Sequence, residues 1–394
     1  MRVLLIGCGA VGEAIAHVAQ DRPWLESLVL ADYRLERAQE VRSRLRRPDR
    51  FSAEAVDARD GQRVIELARS HKAELIMNAV SNIYNDALFD AACAAGCNYL
   101  DMAMSDSGAN MGSHQFGQAA RWRERGLLAI LGMGMDPGVS DVFAAYAAKH
   151  LFDEVDEIGV RDGAALKVEG YAFAPTFSIL DTIEECTDPA LIWERDRGWF
   201  TTEPFSEPEV FPFPEGIGPL ECVHVEHEEV VLIPRWIPCR RVTFKYALEA
   251  DFINIIRVIQ ALGLASAEPV TVGSVSVSPR EVLAACLPDP ATLGNRMSGK
   301  TCVGTWVKGI SNGQPRQVFL YQCTDNADTM RKYGCQAVAL QTAVGPVIAM
   351  ELLATGAWQG RGVLGPEAFD PDPFLARMLA FDFPYGLLEL EGER

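Results

Sequence analysis

The chain opens MRVLLIGCGAVG, and this stretch restricts its fold more than any other. An apolar run from Val3 to Ile6 leads directly into Gly7, Gly9 and Gly12, in G-x-G-x-x-G spacing, and VGEAIAHVAQ follows with helical periodicity. The first glycine permits a tight turn. The second lets the backbone approach a pyrophosphate, and the third lets the helix pack on the strand, its N-terminus facing the phosphates. The motif predicts dinucleotide binding at Gly7, Gly9, Ala10, Val11 and Gly12.

The next hundred residues repeat the alternation of short apolar runs and amphipathic segments that marks βαβ units. Strands are expected at VLLIG, LVLAD, SAEAVDARD, ELIMNAV, NYLDMA and LLAILGMGMDPG. Six strands with five crossings make a Rossmann-type, doubly wound parallel sheet. Topology then places further cofactor contacts at the strand ends: Asp32, Tyr33 and Arg34 after the second, Asp57 and Ala58 after the third, Asn78, Ala79 and Val80 after the fourth. A carboxylate at Asp32 suits the adenosine ribose hydroxyls and repels a 2′-phosphate, whereas Arg34 or Arg37 could hold that phosphate. NAD(H) is therefore expected slightly ahead of NADP(H).

From about Val155 the texture changes to strand-like runs with few helices between them, and a chain of 394 residues is too long for one ordinary core. The expectation is a dinucleotide-binding domain over 1–140, a second, α+β domain with a mixed sheet for substrate and dimerisation over 141–344, and a C-terminal return over 345–394 completing the first domain. Asn312-Gly313 between two alternating runs predicts a tight hairpin. GCQAVALQTAVGPVIAMELLATG is apolar on nearly every side and predicts a buried helix. GNRMSGKT, residues 294–301, matches a P-loop literally, but it precedes a strand-like run rather than opening a helix, so triphosphate binding is not expected there.

The net charge of -18 disfavours nucleic acid and anionic membrane as partners, and suits a cationic substrate. No run of eighteen uncharged apolar residues and no cleavable leader pattern is seen, so a cytoplasmic protein is expected. The ten cysteines include no C-x-x-C pair and read as packed thiols.

HVEHEEVVLIPRW, residues 224–236, poses a separate question. Its valines favour a strand, on which His224 and His227 point to opposite faces and do not share an ion, so no metal is expected. Two readings remain: a solvated strand edge, or a substrate-facing cluster in which His227 or Glu228 handles a proton. Arg161, Arg235, Arg241 and Lys245, beside strand-like runs, are the candidate carboxylate clamps, with Arg240 next to them.

The stretches MRVLLIGCGAVGEAIA, ELIMNAVSNIYNDALFDAACAAGCNYLDMA and LLAILGMGMDPGVSD resemble the saccharopine dehydrogenase-like reductases. GAWQGRGVLGPEAFDPDPFLARM, residues 356–378, resembles the carboxynorspermidine dehydrogenase branch, and SILDTIEECTDPALI and GPLECVH are similar to lysine 6-dehydrogenases. Asp32 departs from the carboxynorspermidine branch, which resembles NADPH users lacking an acid there. The resemblance implies a homodimer and chemistry at a carbon-nitrogen bond. The implied reaction is NAD(P)H-dependent reduction of an imine formed from aspartate semialdehyde and an amine, a diamine or agmatine, giving a carboxylated polyamine. Lysine oxidation at the ε-carbon, saccharopine formation, or a non-catalytic dinucleotide sensor are the alternatives.

Overall fold

A computed structural model describes residues 1–105 and 108–391. Strands β1 (Arg2–Ile6), β2 (Ser27–Asp32), β3 (Phe51–Ala55), β4 (Leu75–Asn78), β5 (Asn98–Leu100) and β6 (Leu128–Ile130) form one parallel sheet. Its order is β6-β5-β4-β1-β2-β3, with Gly362–Leu364 from the far end of the chain paired outside β6. The central strands are apolar along nearly their whole length because helices cover both faces of such a sheet. The order reverses between β1 and β4, and a crevice opens there at the carboxyl ends of the strands.

The helix Ala10–Ala19 leaves β1 through the glycine turn and packs against the helix Ala337–Thr355. The latter is long and apolar enough to cross a membrane, yet 78% of its apolar window is buried inside the protein. Its weak amphipathicity therefore reflects packing on several sides, as the sequence predicts.

The second sheet is mixed. Its main order is Glu209–Phe213, Gly218–His224, Arg241–Tyr246, Glu154–Val168, Met297–Ser311, Gln314–Asp325 and Gly386–Glu389. Arg241–Tyr246 runs parallel to Glu154–Val168, and the remaining neighbours run antiparallel. The longest hairpin turns at Asn312 and Gly313, with φ of 50° and 72°, between partners Ser311 and Gln314. Positive φ at both central residues is the geometry that matches the strand twist. The P-loop look-alike is one 3-10 turn, Gly294–Arg296, running into the strand Met297–Ser311. Its amides from Met297 onward lie in a strand paired to Glu154–Val168 rather than around a phosphate cradle.

One expected strand is absent. Gly218–His224 ends at the first histidine, and Glu229–Trp236 is a helix. A short apolar run does not distinguish a buried helix from a strand, and β-branched residues bias the reading toward a strand. Here Glu229, Val230, Val231, Leu232 and Ile233 are all buried, so the first part of this short helix packs in on every side against the second sheet and the helix Val139–His150, and only its last turn, at Arg235, reaches solvent. The solvated-edge reading is thereby overturned: His224 is 0% and His227 6% exposed.

Candidate active site

At the crevice, Gly7 adopts φ +100°, and a Cβ there would strike the Ala79 carbonyl. A Cβ at Gly12 would strike the Gly7 carbonyl, whereas nothing lies within 4 Å of one at Gly9. Packing thus demands the outer two glycines, and the middle one faces open space. No side chain caps the helix that starts at Ala10, so its first amides remain available to an anion. Asp32 Oδ2 accepts from the Cys8 amide at 2.9 Å and Oδ1 from the Arg34 amide at 3.0 Å, leaving each oxygen a lone pair for a ribose hydroxyl. The donor set fits a dinucleotide.

Arg37 is not free to hold a phosphate. It bonds the Cys8 carbonyl at 2.7 Å and Glu13 at 2.6 Å. Tyr33 is exposed, and the Arg34 guanidinium lies 5.3 Å from its ring centroid. Asn78 is buried and works mainly as a brace: its Nδ2 donates to Asn85 at 2.6 Å and Tyr99 at 2.9 Å, while Oδ1 accepts from the Val80 amide. Asp57, just after the end of β3, is held by Arg59 through bonds of 2.6 to 3.1 Å, with Ala58 between them in the chain.

The crevice continues into a cavity of about 890 Å³ between the two sheets. Gly9, Ala10, Val11, Asn78, Ala79 and Val80 line one side; Asp136, Asp162, Glu185, His227, Glu228 and Tyr246 are among those lining the other. Twelve aspartates and glutamates line it, against Lys167 and His227 as the basic residues. The lining is short of cations.

His227 sits at the centre of this charge. Its ring stacks on Phe244 at 3.7 Å between centroids and 9° between planes. Nδ1 lies 2.5 Å from Glu229 Oε2 and 3.4 Å from Glu228 Oε2. Glu229 Oε1 accepts from Ser140 Oγ at 2.8 Å, and Glu228 Oε1 accepts from the Met104 amide at 3.1 Å. Burial alone would lower the His227 pKa, but the charge of Glu229, its hydrogen bond, and the charges of Glu228 and Glu185 outweigh it and raise the imidazole well above its ordinary value. Nε2 has no hydrogen-bond partner among the described residues.

Burial pushes the surrounding carboxyls upward: Asp162 and Asp101 to about 7, Glu185 to about 8, Asp136 well above the usual range. His227 opposes the rise at Asp162, Glu185 and Asp136, and the amide of Gly132 opposes it at Asp101. Glu226, which accepts from the Gly108 amide, is raised to about 7 by the same loss of solvent. Carboxyls held this way favour either a proton or a cationic guest.

The candidate carboxylate clamps do not reach the cavity. Arg161 pairs with Glu209 at 2.5 Å, and Lys245 with Glu209 at 2.8 Å. Arg241 bonds Glu194 and Glu207, and Arg235 lies 3.9 Å from the Phe116 ring centroid. Arg240 pairs with Asp156. The cause is strand alternation: Asp162 and Tyr246 are register partners lining the cavity, so Arg161 and Lys245, one residue earlier, point away. Asp162, Tyr246, Asp136 and Glu185 carry no sequence signal of their own: that Asp162 and Tyr246 share a face follows only from the register between their two strands.

The metal argument also changes. His224 bonds the Phe244 carbonyl and Glu207, and shares no cluster of ligand-type atoms with His227 among the described residues. His227, Glu228 and Glu229 instead bring ligand-type atoms within 4.8 Å of one another, which the strand reading did not foresee. The Nδ1 contact to Glu229 already occupies that space as an ion pair.

Residues 3–130 match the saccharopine dehydrogenase NADP binding domain, and residues 134–380 the saccharopine dehydrogenase C-terminal domain. The carboxynorspermidine synthase of Vibrio alginolyticus is 32% identical over 408 aligned residues, covering 99% of this chain and 98% of that protein. The carboxyaminopropylagmatine dehydrogenase of a Synechocystis species is 30% identical, covering 98% and 96%. The fold is shared with apo saccharopine dehydrogenase (L-Glu forming) of Saccharomyces cerevisiae, at a TM-score of 0.71 and 12% identity, over 99% of this chain and 100% of that one. The chain belongs to the saccharopine dehydrogenase family: it is an oxidoreductase whose cofactor is a nicotinamide dinucleotide.

Proposed function

We infer that the protein reduces an imine formed between aspartate semialdehyde and a cationic amine, a diamine or agmatine, to a carboxylated polyamine. The observation that carries this reading is the excess of carboxyls around one buried imidazolium in the cavity next to the glycine turn. A diamine or agmatine brings one amine nitrogen to condense, as its free base, and a second group that stays cationic, for which Asp136, Asp162 and Glu185 in the cavity lining are our candidate partners. The names of the relatives, both enzymes of carboxylated polyamine-like products, point the same way.

The amine and aldehyde condense with loss of water. Hydride then adds to the imine carbon and a proton to its nitrogen, giving a secondary amine and the oxidised dinucleotide. The bound dinucleotide supplies the hydride. His227 supplies the proton from Nε2, while Glu229 keeps Nδ1 protonated and the ring oriented. Phe244 holds the ring plane from below. We favour NAD(H): the Asp32 carboxylate at the end of β2 would repel a 2′-phosphate, and Arg37 is committed to Glu13.

The test is NADH and NADPH oxidation by the purified protein with aspartate semialdehyde plus putrescine, diaminopropane or agmatine. Turnover with at least one amine is expected. No turnover with any of them, or NAD reduction by free lysine without an aldehyde, overturns the reading.

A further inference from the structure

The chemistry above leaves unused a carboxyl pair buried behind His227. Asp141 lies in the first turn of the helix Val139–His150, and Glu367 in the single turn Pro366–Ala368. Glu367 belongs to GVLGPEAFDPDPF, part of the stretch that carries the chain's more specific resemblance. The two side chains face one another and are 0% and 7% exposed.

Asp141 Oδ2 accepts from the Gly138 amide at 2.7 Å. Asp141 Oδ1 and both Glu367 carboxylate oxygens accept no well-formed hydrogen bond from a standing donor among the described residues, and their close partner is each other, with the Glu367 amide beside its own carboxylate. Space for the glutamate is reserved: a Cβ at Gly365 would lie 2.5 Å from Glu367 Oε2 and 2.7 Å from the Trp236 ring. Two bare carboxylates in contact, out of water, are unfavourable. One shared proton turns an orphan acceptor into a donor, satisfies an oxygen on each side, and leaves a single negative charge.

Beyond the pair the charges alternate. Glu229 and Arg235, on the helix Glu229–Trp236, act on Glu367, and Glu229 also acts on Asp141. Ser140, next in the chain to Asp141, donates to Glu229, and Glu229 takes His227. Glu228, next in the chain, and Glu185, Asp162 and Asp136 from other elements also act on His227.

We propose that Asp141 and Glu367 are a positioning pair that shares one proton and, through Ser140 and Glu229, holds His227 in its charged form. This rests on the role of His227 as proton donor inferred above. Burial, then the charges of Glu367 and Glu229, raise Asp141 well above the usual carboxylate range, so the pair retains a proton between them. Glu367 is raised by burial to about 7 and held down by its hydrogen bond with Asp141, so the two carboxyls together keep one negative charge.

Asp141→Asn decides the proton's place. Its amide donates to Glu367 and its carbonyl still accepts from Gly138, so it copies protonated Asp141. Turnover within roughly threefold of wild type is expected, with loss of a protonated-carboxyl infrared band that the wild type shows. The Asp141→Asn/Glu367→Gln double variant removes the charge and should move the alkaline limb of kcat/KM down by roughly one pH unit, with NADH binding retained. Absence of that band, or an unmoved limb in a folded double variant, overturns the pairing. If the double variant does not fold, the infrared comparison of wild type with Asp141→Asn decides. If the wild type lacks imine reductase activity, the functional reading falls while the infrared result still judges the pair.

Discussion

Glu229 Oε2 lies 2.5 Å from His227 Nδ1 although the two residues are separated by one position, because the chain turns from a loop into a helix between them. The contact makes a buried histidine cationic at neutral pH. Replacing Glu229 by Gln removes the charge and should lower the His227 pKa. Proton donation is then lost at lower pH: the alkaline limb of kcat/KM shifts downward, and kcat at pH 8 falls by about tenfold or more. A pH profile of the variant checks this, and an unchanged limb would detach Glu229 from the chemistry.

Asp32 should decide the cofactor. Asp32→Ser keeps a hydroxyl near the Cys8 amide but removes the charge that repels a 2′-phosphate. The ratio of kcat/KM for NADH over NADPH should fall by about tenfold. Measured ratios that match in both proteins would place the discrimination elsewhere.

Gly12→Ala puts a Cβ into the Gly7 carbonyl, a clash with backbone that cannot relax locally. The expected outcome is a destabilisation of roughly 1–3 kcal/mol and loss of dinucleotide affinity. Thermal unfolding with and without NADH reads both.

Stability of the ligand-free protein should depend on pH in an unusual direction. Asp162 and Glu185 have folded pKa values raised to about 7 and about 8, above an unfolded value of about 4. Between those values the folded state binds more protons than the unfolded one, so stability falls as pH rises. His227, also raised, adds to the same trend, since its contribution is complete below its unfolded pKa and is lost on rising through the folded one. The melting temperature should be higher at pH 5.5 than at pH 8, and an added diamine should narrow the gap.

Much of the first sheet was legible, because a buried parallel strand followed by an amphipathic helix leaves an unambiguous pattern: all six expected strands appear, in the order the glycine turn requires. The Asn312-Gly313 hairpin was legible for a similar reason, since its φ angles are local. Residues 224–236 were not, because Val230 to Ile233 are buried all round and period alone cannot separate helix from strand there. The cation clamps misled differently. Arg161 and Lys245 have the right chemistry, but their facing depends on register with a strand eighty residues away, which no local signal carries. Asp162 and Tyr246, one position on, line the cavity instead.

The central claim is that the carboxyl-lined cavity binds a cationic amine, and calorimetric titration of the NAD(H)-loaded protein with agmatine and diaminopropane tests it most directly. The account predicts affinity that tightens between pH 6 and pH 8 as Asp162 and Glu185 give up protons, with an Asp162→Asn/Glu185→Gln variant binding at least about tenfold more weakly. Affinity that is independent of pH and unchanged in that variant would contradict it.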